Sequence, residues 1–224
     1  MADQFSRVAI VDYDLGNLFS VLQACRVAGI DAEITDDPKA VAVASALILP
    51  GVGGFPQAMA TLGRKGLVSA IKEQVAAGRP LFGICLGQQL LMQSSAEFGA
   101  TEGLGLIEGD VVKLPDVAGP NGRMLPIPHV GWSGVRPGTA GAVWADTPLD
   151  AAKPGAAFYF VHSFYVRPRQ AADVLAVADF GSTSYCAAVR RGQVYGFQFH
   201  PERSGPVGLE FYRQMKRIIG QARR

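Results

Sequence analysis

The chain has 224 residues, of which 49% are hydrophobic and 18% charged, and its formal net charge is +2. This length suits one large domain, so we expect a single domain over residues 1–224. The composition excludes a disordered chain, and the balanced charge argues against a nucleic-acid surface. No apolar stretch approaches the roughly 18 residues that span a membrane, and Met1–Arg7 lacks the apolar core of a signal peptide. The three cysteines, Cys25, Cys85 and Cys186, form no CxxC pair, which favours a cytoplasmic protein without disulfides or a zinc site.

The first half of the chain alternates short apolar runs with helical patterns. Asn17–Ala28 has an apolar stripe at the spacing of an amphipathic helix and is followed by Gly29, and Asp37-Pro38 opens a further short helix. Such alternation is typical of a parallel sheet with helices on both faces. The predicted strands are Arg7–Asp12, Ala32–Thr35, Ala46–Leu49 and Pro80–Ile84, and the other predicted helices are Leu67–Ala77 and Gly87–Ser95.

The second half is richer in strand patterns. Arg191-Gly192 is a tight-turn signal between the last two predicted strands, and Leu209–Ile219 closes the chain as a helix. The predicted fold class is therefore α/β, an open, mostly parallel sheet flanked by helices, with a more β-rich C-terminal half. The strands predicted here are Asp110–Leu114, Ala157–Val166, Val174–Asp179, Ser184–Arg190 and Val194–Phe199.

One cysteine stands between two glycines at a predicted strand-to-helix junction. Gly83–Gly87 reads GICLG, the G-x-nucleophile-x-G pattern whose small flanking residues permit a strained turn that exposes the central side chain. The positive end of the following helix favours the thiolate form of Cys85. The sequence therefore predicts Cys85 as a nucleophile. The alternative is a buried cysteine that packs as a small hydrophobe, which is our interpretation of Cys25 and Cys186.

A thiol nucleophile needs a base, and the chain contains His129, His162 and His200. His200 follows a predicted strand, and the carboxylate of Glu202 can accept the hydrogen bond that orients its imidazole. Nucleophile and base would then both lie at the carboxyl ends of strands, where open α/β sheets place their sites. The alternative is a histidine in an ordinary loop.

The glycine-rich segment Pro50–Phe55 (PGVGGF) also follows a predicted strand. Glycines let backbone N–H groups turn toward a ligand, as an oxyanion hole requires. The segment lacks the GxxxxGK[ST] pattern and is not a GxGxxG that opens a long helix, so nucleotide binding is disfavoured. A plain loop is the alternative interpretation.

These motifs resemble one enzyme family. Pro50–Phe55, Gly83–Gln89 (GICLGQQ) and Gln198–Ser204 (QFHPERS) are similar to the class I, or triad, glutamine amidotransferases. The resemblance extends from about Val8 to Ile219 and implies a flavodoxin-like sheet. It is closest to the glutaminase subunits of imidazole glycerol phosphate synthase. The segments that carry this closer match are Asp12–Ser20 (DYDLGNLFS), Pro128–Trp132 (PHVGW) and Phe160–Ser163 (FVHS).

The resemblance implies a role for individual residues. Cys85 would attack the side-chain amide of glutamine to form a thioester and release ammonia, while His200 would carry the proton and Glu202 would orient the imidazole. No cofactor and no metal is implied. The oxyanion hole would be formed by backbone N–H groups around Val52, Gly53 and Leu86. The implied glutamine-binding residues are Gly51, Gln89, Glu97, Ser163 and Phe164, with Gln89 and Glu97 on the helix after the cysteine.

The resemblance also implies a partner, a separate (β/α)₈-barrel cyclase subunit. Ammonia would pass to it and react with a phosphoribulosyl-formimino aminoimidazole carboxamide nucleotide. The products would be imidazole glycerol phosphate and an aminoimidazole carboxamide ribotide, in histidine biosynthesis. The implied contacts with the cyclase are Asn17, Leu18, His129 and Trp132.

The chain departs from the family pattern at several positions. Asp14 stands where the family usually has glycine, Ser133 where it has asparagine, and Arg203 where it has lysine. Asp14 and Ser133 lie near the implied interface, so they bear on docking more than on the chemistry. Gly119–Arg123 and Pro137–Ala142 have the character of insertions.

Three other functions are consistent with parts of the sequence. The chain could be a different class I amidotransferase subunit, such as that of pyridoxal phosphate synthase, although DYDLGNL and PHVGW argue against this. It could be a stand-alone cysteine hydrolase of the same fold, which would act without a partner. A non-enzymatic scaffold is disfavoured because Cys85, His200 and Glu202 are all present.

Overall fold

The computed structural model describes residues 7–119, 122–138 and 143–222. The expectations for the polar N-terminus and for parts of the two insertions concern residues outside these ranges. The helices are α1 (Leu18–Ala28), α2 (Pro38–Val43), α3 (Phe55–Arg64), α4 (Leu67–Ala76), α5 (Leu86–Leu90) and α6 (Gly205–Gln221). The strands are β1 (Val8–Val11), β2 (Ala32–Thr35), β3 (Ala46–Gly51), β4 (Leu81–Cys85), β5 (Ser94–Ser95), β6 (Thr101–Glu102), β7 (Gly109–Lys113), β8 (His129–Pro137), β9 (Ala156–His162), β10 (Phe164–Pro168), β11 (Val174–Phe180), β12 (Thr183–Arg191) and β13 (Val194–Phe197).

These strands form one mixed sheet in the order β2-β1-β3-β4-β13-β12-β10-β7-β5-β6. The first five strands of this order are parallel. Beyond β13 the sheet continues through antiparallel pairings of β12, β10 and β7. A side branch runs from β12 through β11 and β8 to β9. The parallel half carries β4 and β13 as central neighbours, so their carboxyl ends lie side by side.

Helices cover both faces of the parallel strands, as the sequence predicts. Alternate residues of a strand point to opposite faces, and in β1 Val8 and Ile10 join the hydrophobic cluster under α1 and α6. Ala9 and Val11 join the second cluster, which contains the buried side chains of α2, α3, α4 and α5. The predicted open α/β fold with a β-rich C-terminal half is therefore confirmed.

Local signals account for several of these elements. Gly29 ends α1 in a left-handed conformation with φ 73°. The Asp37 side chain accepts a hydrogen bond from the Lys39 N–H at 2.9 Å and so begins α2. The hairpin between β12 and β13 is present, but its two-residue turn is Gly192–Gln193, one residue later than predicted.

Several elements of the structure differ from the prediction. The helix after Cys85 ends at Leu90 rather than Ser95, because Ser94 and Ser95 pair with β7. Helix α3 was not predicted, since Gly54 and Pro56 resemble a loop, although proline is tolerated in a first helical turn. Strand β8 was also missed, because its glycines interrupt the strand pattern. The predicted strand Ala157–Val166 is two strands, β9 and β10, separated at Ser163.

Candidate active site

Cys85 occupies a strained turn between β4 and α5. Its backbone has φ 54° and ψ −108°, outside the regions that side chains ordinarily adopt. The turn is tight enough to require glycine on both sides. A Cβ on Gly83 would lie 2.7 Å from the Gly87 carbonyl, and one on Gly87 would overlap the Leu49 carbonyl oxygen. The sequence GICLG therefore places the thiol at the beginning of a helix, as predicted.

His200 and Glu202 form a buried pair on the neighbouring strand connection. They follow β13, which runs parallel to β4 with Phe197 opposite Ile84. His200 Nδ1 lies 2.8 Å from Glu202 Oε1, and both side chains are almost fully buried. Burial alone lowers the pKa of His200, but hydrogen bonding and charge interactions with Cys85 and Glu202 outweigh it and raise the pKa to about 10. The imidazole is therefore cationic at neutral pH.

A glutamine that the sequence analysis did not single out lies against the thiol. Gln198 Nε2 is 3.6 Å from Cys85 Sγ, and the Gln198 side chain is fully buried. Its Oε1 accepts a hydrogen bond from Gln89 Nε2 at 3.2 Å. Gln89 Nε2 also lies 2.9 Å from the Phe164 carbonyl oxygen. Gln198 immediately precedes the Phe-His-Pro-Glu motif, and its position beside the β13 terminus is the signal that could have identified it.

The thiol opens into a cavity of about 250 Å³. Val161, His162 and Pro128 form part of its wall. Gly51 is not part of the lining, but in the register of β3 and β4 it is the residue opposite Cys85. The predicted site residues that the cavity brings together are Val52, Gly53, Cys85, Leu86, Gln89, Glu97, Ser163 and Phe164.

Comparisons with known proteins agree with this geometry. The family model Glutamine amidotransferase class-I matches residues 9–215. A protein of Streptococcus sanguinis named imidazole glycerol phosphate synthase subunit HisH is 44% identical over 94% of this chain and 95% of its own. A HisH subunit of Moorella thermoacetica is 43% identical over 96% of both chains. The chain belongs to the class-I glutamine amidotransferase family.

Solved structures support the fold independently. A crystal structure described as a glutamine amidotransferase has a TM-score of 0.69 at 20% identity, covering 95% of this chain and 98% of that chain. The PurLQS structure from Thermotoga maritima gives a TM-score of 0.67 at 20% identity, covering 97% and 99% of the two chains. At this level of identity the likeness concerns the fold.

In this amidotransferase a buried tyrosine holds the segment before the predicted oxyanion residues. The Tyr13 hydroxyl donates a hydrogen bond to the Pro50 carbonyl oxygen at 2.6 Å. A Cβ on Gly51 would overlap the same hydroxyl, so the tyrosine requires glycine there. Burial, followed by the charge of Cys85, raises the pKa of Tyr13 well above its usual value, so the hydroxyl stays a donor. Tyr13 lies within the DYDLGNLFS motif, and no role was predicted for it from the sequence.

Glu97 is not on the helix after the cysteine, and that prediction is corrected. It lies in the turn after β5, because the chain leaves the helical conformation at Leu91 and pairs with β7. Glu97 Oε2 accepts a hydrogen bond from the Phe55 N–H at 2.7 Å, at the positive end of α3. Its carboxylate nevertheless lines the cavity, where its second oxygen can meet a cationic group.

The residues implied to contact a partner occupy two segments. Asn17 and Leu18 begin α1 and are half-buried. Trp132 on β8 is 57% exposed and packs edge-on against Tyr159 with ring centroids 6.1 Å apart. His129 is three residues away on the same strand, so its ring lies on the opposite face, hydrogen-bonded within the chain.

Two departures from the family pattern have structural explanations. Asp14 has φ 65°, a left-handed conformation that explains the family's usual glycine and that aspartate tolerates better than most residues. Its carboxylate lies 2.7 Å from Lys65 Nζ. The Ser133 hydroxyl lies 3.1 Å from His129 Nε2. Ser133 therefore belongs to a hydrogen-bonded group inside the chain rather than to an exposed surface.

The described part of the chain contains no cluster of histidine, cysteine and acidic side chains that could hold a metal ion. Among the described residues, no helix has the length and apolar character needed to cross a membrane. A larger groove of about 430 Å³ lies between α1 and α6, where Glu202 and Tyr212 contribute to its wall. This groove does not include the Cys85 thiol, so the smaller cavity is the candidate site for a substrate of that thiol.

Proposed function

We propose that this chain is the glutaminase subunit of an imidazole glycerol phosphate synthase, acting as one cytoplasmic amidotransferase domain over residues 1–224. The observation that carries the proposal is the strained Cys85 beside the buried pair His200 and Glu202, at the carboxyl ends of adjacent parallel strands. The HisH relatives, about 44% identical along nearly the whole chain, support the same subunit and the same pathway.

In the proposed reaction, the Cys85 thiolate attacks the side-chain amide carbon of glutamine. The negative charge that develops on the carbonyl oxygen is stabilised by the N–H groups of Val52, Gly53 and Leu86. The His200 imidazolium gives its proton to the departing nitrogen, so the C–N bond breaks and ammonia and a thioester remain. His200, now neutral, takes a proton from water, which hydrolyses the thioester to glutamate and restores the thiolate.

The remaining cavity residues hold the amino-acid end of glutamine. The carboxylate of Glu97 and the side-chain carbonyl of Gln89 attract the α-ammonium group. The α-carboxylate lies at the bend between β9 and β10. There the Leu114 N–H donates to the Ser163 carbonyl oxygen at 2.8 Å, so the Phe164 N–H of the same trans peptide points the opposite way and can donate to the substrate. Gly51 leaves room for this arrangement beside Cys85.

The partner is proposed to be a (β/α)₈-barrel cyclase, which receives the ammonia. Large exposed apolar side chains are typical of surfaces that bind another protein, and several occur in the segments next to the cavity residues. Val130 and Trp132 are each 57% exposed on one face of β8, and Phe98, next to Glu97, is 90% exposed. We propose that Asn17, Leu18 and Trp132 contact the cyclase and that His129 supports this face from inside.

The test uses the complex reconstituted with the cyclase subunit and its nucleotide substrate. The Cys85→Ala variant should lose synthesis driven by glutamine and keep synthesis driven by ammonium salts, because only the nucleophile is removed. Cys25→Ala, a thiol in the core under α1, is the matched control and should keep both activities. Synthesis from glutamine by the Cys85→Ala complex would refute the assignment of the nucleophile.

A further inference from the structure

A line of hydrogen-bonded side chains runs from β8 to the bend between β9 and β10. The Ser133 hydroxyl lies 3.1 Å from His129 Nε2, and His129 Nδ1 lies 3.2 Å from the Tyr185 hydroxyl. The same hydroxyl lies 3.2 Å from His162 Nε2. His162 Nδ1 lies 2.9 Å from the Phe164 carbonyl oxygen. The four side chains come from β8, β9 and β12, and the last of them, His162, contacts the Phe164 carbonyl beside the cavity.

The positions of the protons along this line follow from its last acceptor. A carbonyl oxygen only accepts, so His162 Nδ1 carries a proton, and in the neutral ring Nε2 accepts from the Tyr185 hydroxyl. Because Tyr185 has one proton to donate, His129 Nδ1 must donate to its oxygen. His129 Nε2 then accepts from the Ser133 hydroxyl. Each ring nitrogen therefore either donates or accepts, the Tyr185 hydroxyl does both, and each donor in the line meets an acceptor.

Burial keeps the line free of charge. Tyr185 and His162 are 1% and 5% exposed. Burial lowers the pKa of His162 to about 3, in spite of its bond to the Phe164 carbonyl, and burial also lowers the pKa of His129. Burial raises the pKa of Tyr185. All three rings are therefore neutral at neutral pH, and the pattern of donors and acceptors is the same throughout the physiological range.

The Phe164 carbonyl connects this line to the nucleophile. It also accepts a hydrogen bond from Gln89 Nε2 at 2.9 Å. Gln89 Nε2 lies 3.2 Å from Gln198 Oε1, and Gln198 Nε2 lies 3.6 Å from Cys85 Sγ. The Phe164 carbonyl oxygen thus accepts two hydrogen bonds, one from His162 and one from Gln89. The Phe164 N–H belongs to the preceding peptide, so a fixed carbonyl restricts the rotation of Phe164 and limits the directions in which that N–H can point.

We propose that Tyr185 is a positioning residue for glutamine, acting through His162 and the Phe164 carbonyl to restrict Phe164, whose N–H faces the substrate carboxylate. Tyr185 is not among the residues that line the cavity, and its hydroxyl joins the two histidines by hydrogen bonds. The inference rests on the proposed function of the Ser163–Phe164 bend.

The Tyr185→Phe variant removes the hydroxyl and leaves the ring and its packing. Without the hydroxyl, His162 Nε2 loses its donor, and its ring no longer fixes the Phe164 carbonyl. We expect the KM for glutamine in the cyclase complex to rise about 3- to 10-fold, the range that one lost hydrogen bond gives, while kcat changes less than about twofold. Synthesis from ammonium salts should be unchanged. A purely structural role would lower the unfolding midpoint and leave KM as it was.

Tyr195→Phe is the matched control. Tyr195 is equally buried, and its hydroxyl lies 3.4 Å from Gln193 Oε1 at the hairpin turn, away from the cavity. A second variant, His162→Asn, keeps a donor near the Phe164 carbonyl but loses the bond to Tyr185. We expect it to raise KM, and Tyr185→Phe should then add nothing further in the same chain.

The outcomes separate this inference from the proposed function. Equal KM values for Tyr185→Phe and Tyr195→Phe, with synthesis from glutamine still dependent on Cys85, would overturn the positioning role alone. If Tyr185→Phe does not fold, His162→Asn and Ser133→Ala replace it, singly and combined. Residues of one hydrogen-bonded line should not act independently, so additive effects of the two substitutions on KM would overturn the positioning role as well. Glutamine use that survives in Cys85→Ala would overturn the proposed function itself.

Discussion

The backbone of Cys85 adopts φ 54° because the residues around it leave no other path from β4 into α5. Gly87 lies against the Leu49 carbonyl, and Gly83 lies against Gly87. Strain at Cys85 is thus stabilised by close packing of neighbouring backbone, as is common at functional sites. The GICLG pattern predicts this turn well, since the pattern expresses the steric requirement directly.

The first residue-level prediction concerns that packing. Gly87→Ala should lower the free energy of unfolding by about 3 kcal/mol or more, because its methyl group would overlap backbone that cannot move without shifting β3. Gly63→Ala is the matched control in α3, where a Cβ meets nothing within 4 Å. It should stabilise the protein by about 0.5 to 1 kcal/mol. Chemical denaturation measures both, and equal effects would contradict the packing explanation.

The second residue-level prediction concerns pH. The raised pKa of His200 depends partly on the Glu202 carboxylate, so Glu202→Gln should lower that pKa. The imidazolium would then lose its proton at lower pH. We expect the alkaline fall in kcat/KM for glutamine to move to lower pH by about one unit or more. Glu210→Gln, at an exposed ion pair with Arg213, is the control. An unmoved alkaline limb would contradict the role of Glu202.

At the level of elements, sequence and structure agree where a pattern has one physical meaning. The stripe of α1 and the buried strands of the parallel sheet were predictable, because periodicity and burial coincide there. Strand β8 and the bend at Ser163 were not, since glycines in β8 and an unbroken apolar run across β9 and β10 hide the strand ends.

Gln198 was missed because its contact with Cys85 joins residues 113 positions apart. The proximity of Cys85, His200 and Glu202 was predictable, because a nucleophile and its base require particular residue types.

The prediction at this level concerns the outward face of β8. Trp132→Ala should weaken binding to the cyclase subunit by about tenfold or more, because an exposed aromatic at the centre of an interface often dominates its energy. Val43→Ala is the matched control, because Val43 is an exposed apolar side chain at the end of α2. Titration calorimetry measures both, while the rate of Cys85 alkylation should stay unchanged. Equal affinities of the two variants for the cyclase would show that Trp132 is not part of the interface.

Across the whole molecule, the three thiols differ sharply in environment. Burial raises the pKa of Cys25 to about 12 and also raises that of Cys186, and both lie in the hydrophobic core. Cys85 also belongs to the buried core, but it lines the cavity of about 250 Å³ and lies beside a cationic imidazole. We therefore expect Cys85 to be the reactive thiol of the native chain.

The prediction for the whole molecule follows from this difference. Brief treatment of the native protein with iodoacetamide should add one alkyl group, on Cys85, whereas the unfolded chain should accept three. Peptide mapping by mass spectrometry identifies the modified residue. Rapid modification of Cys25 in the native protein would mean that the core under α1 opens far more readily than its packing indicates.

The most direct test of the account is ammonia release from glutamine by the purified chain, measured alone and then with the barrel cyclase and a nucleotide ligand of the cyclase. The account predicts slow release by the chain alone and an increase of about tenfold or more in the loaded complex, because partner binding completes the site. Vigorous release by the chain alone, unchanged by the cyclase, would contradict it and would indicate a free-standing hydrolase.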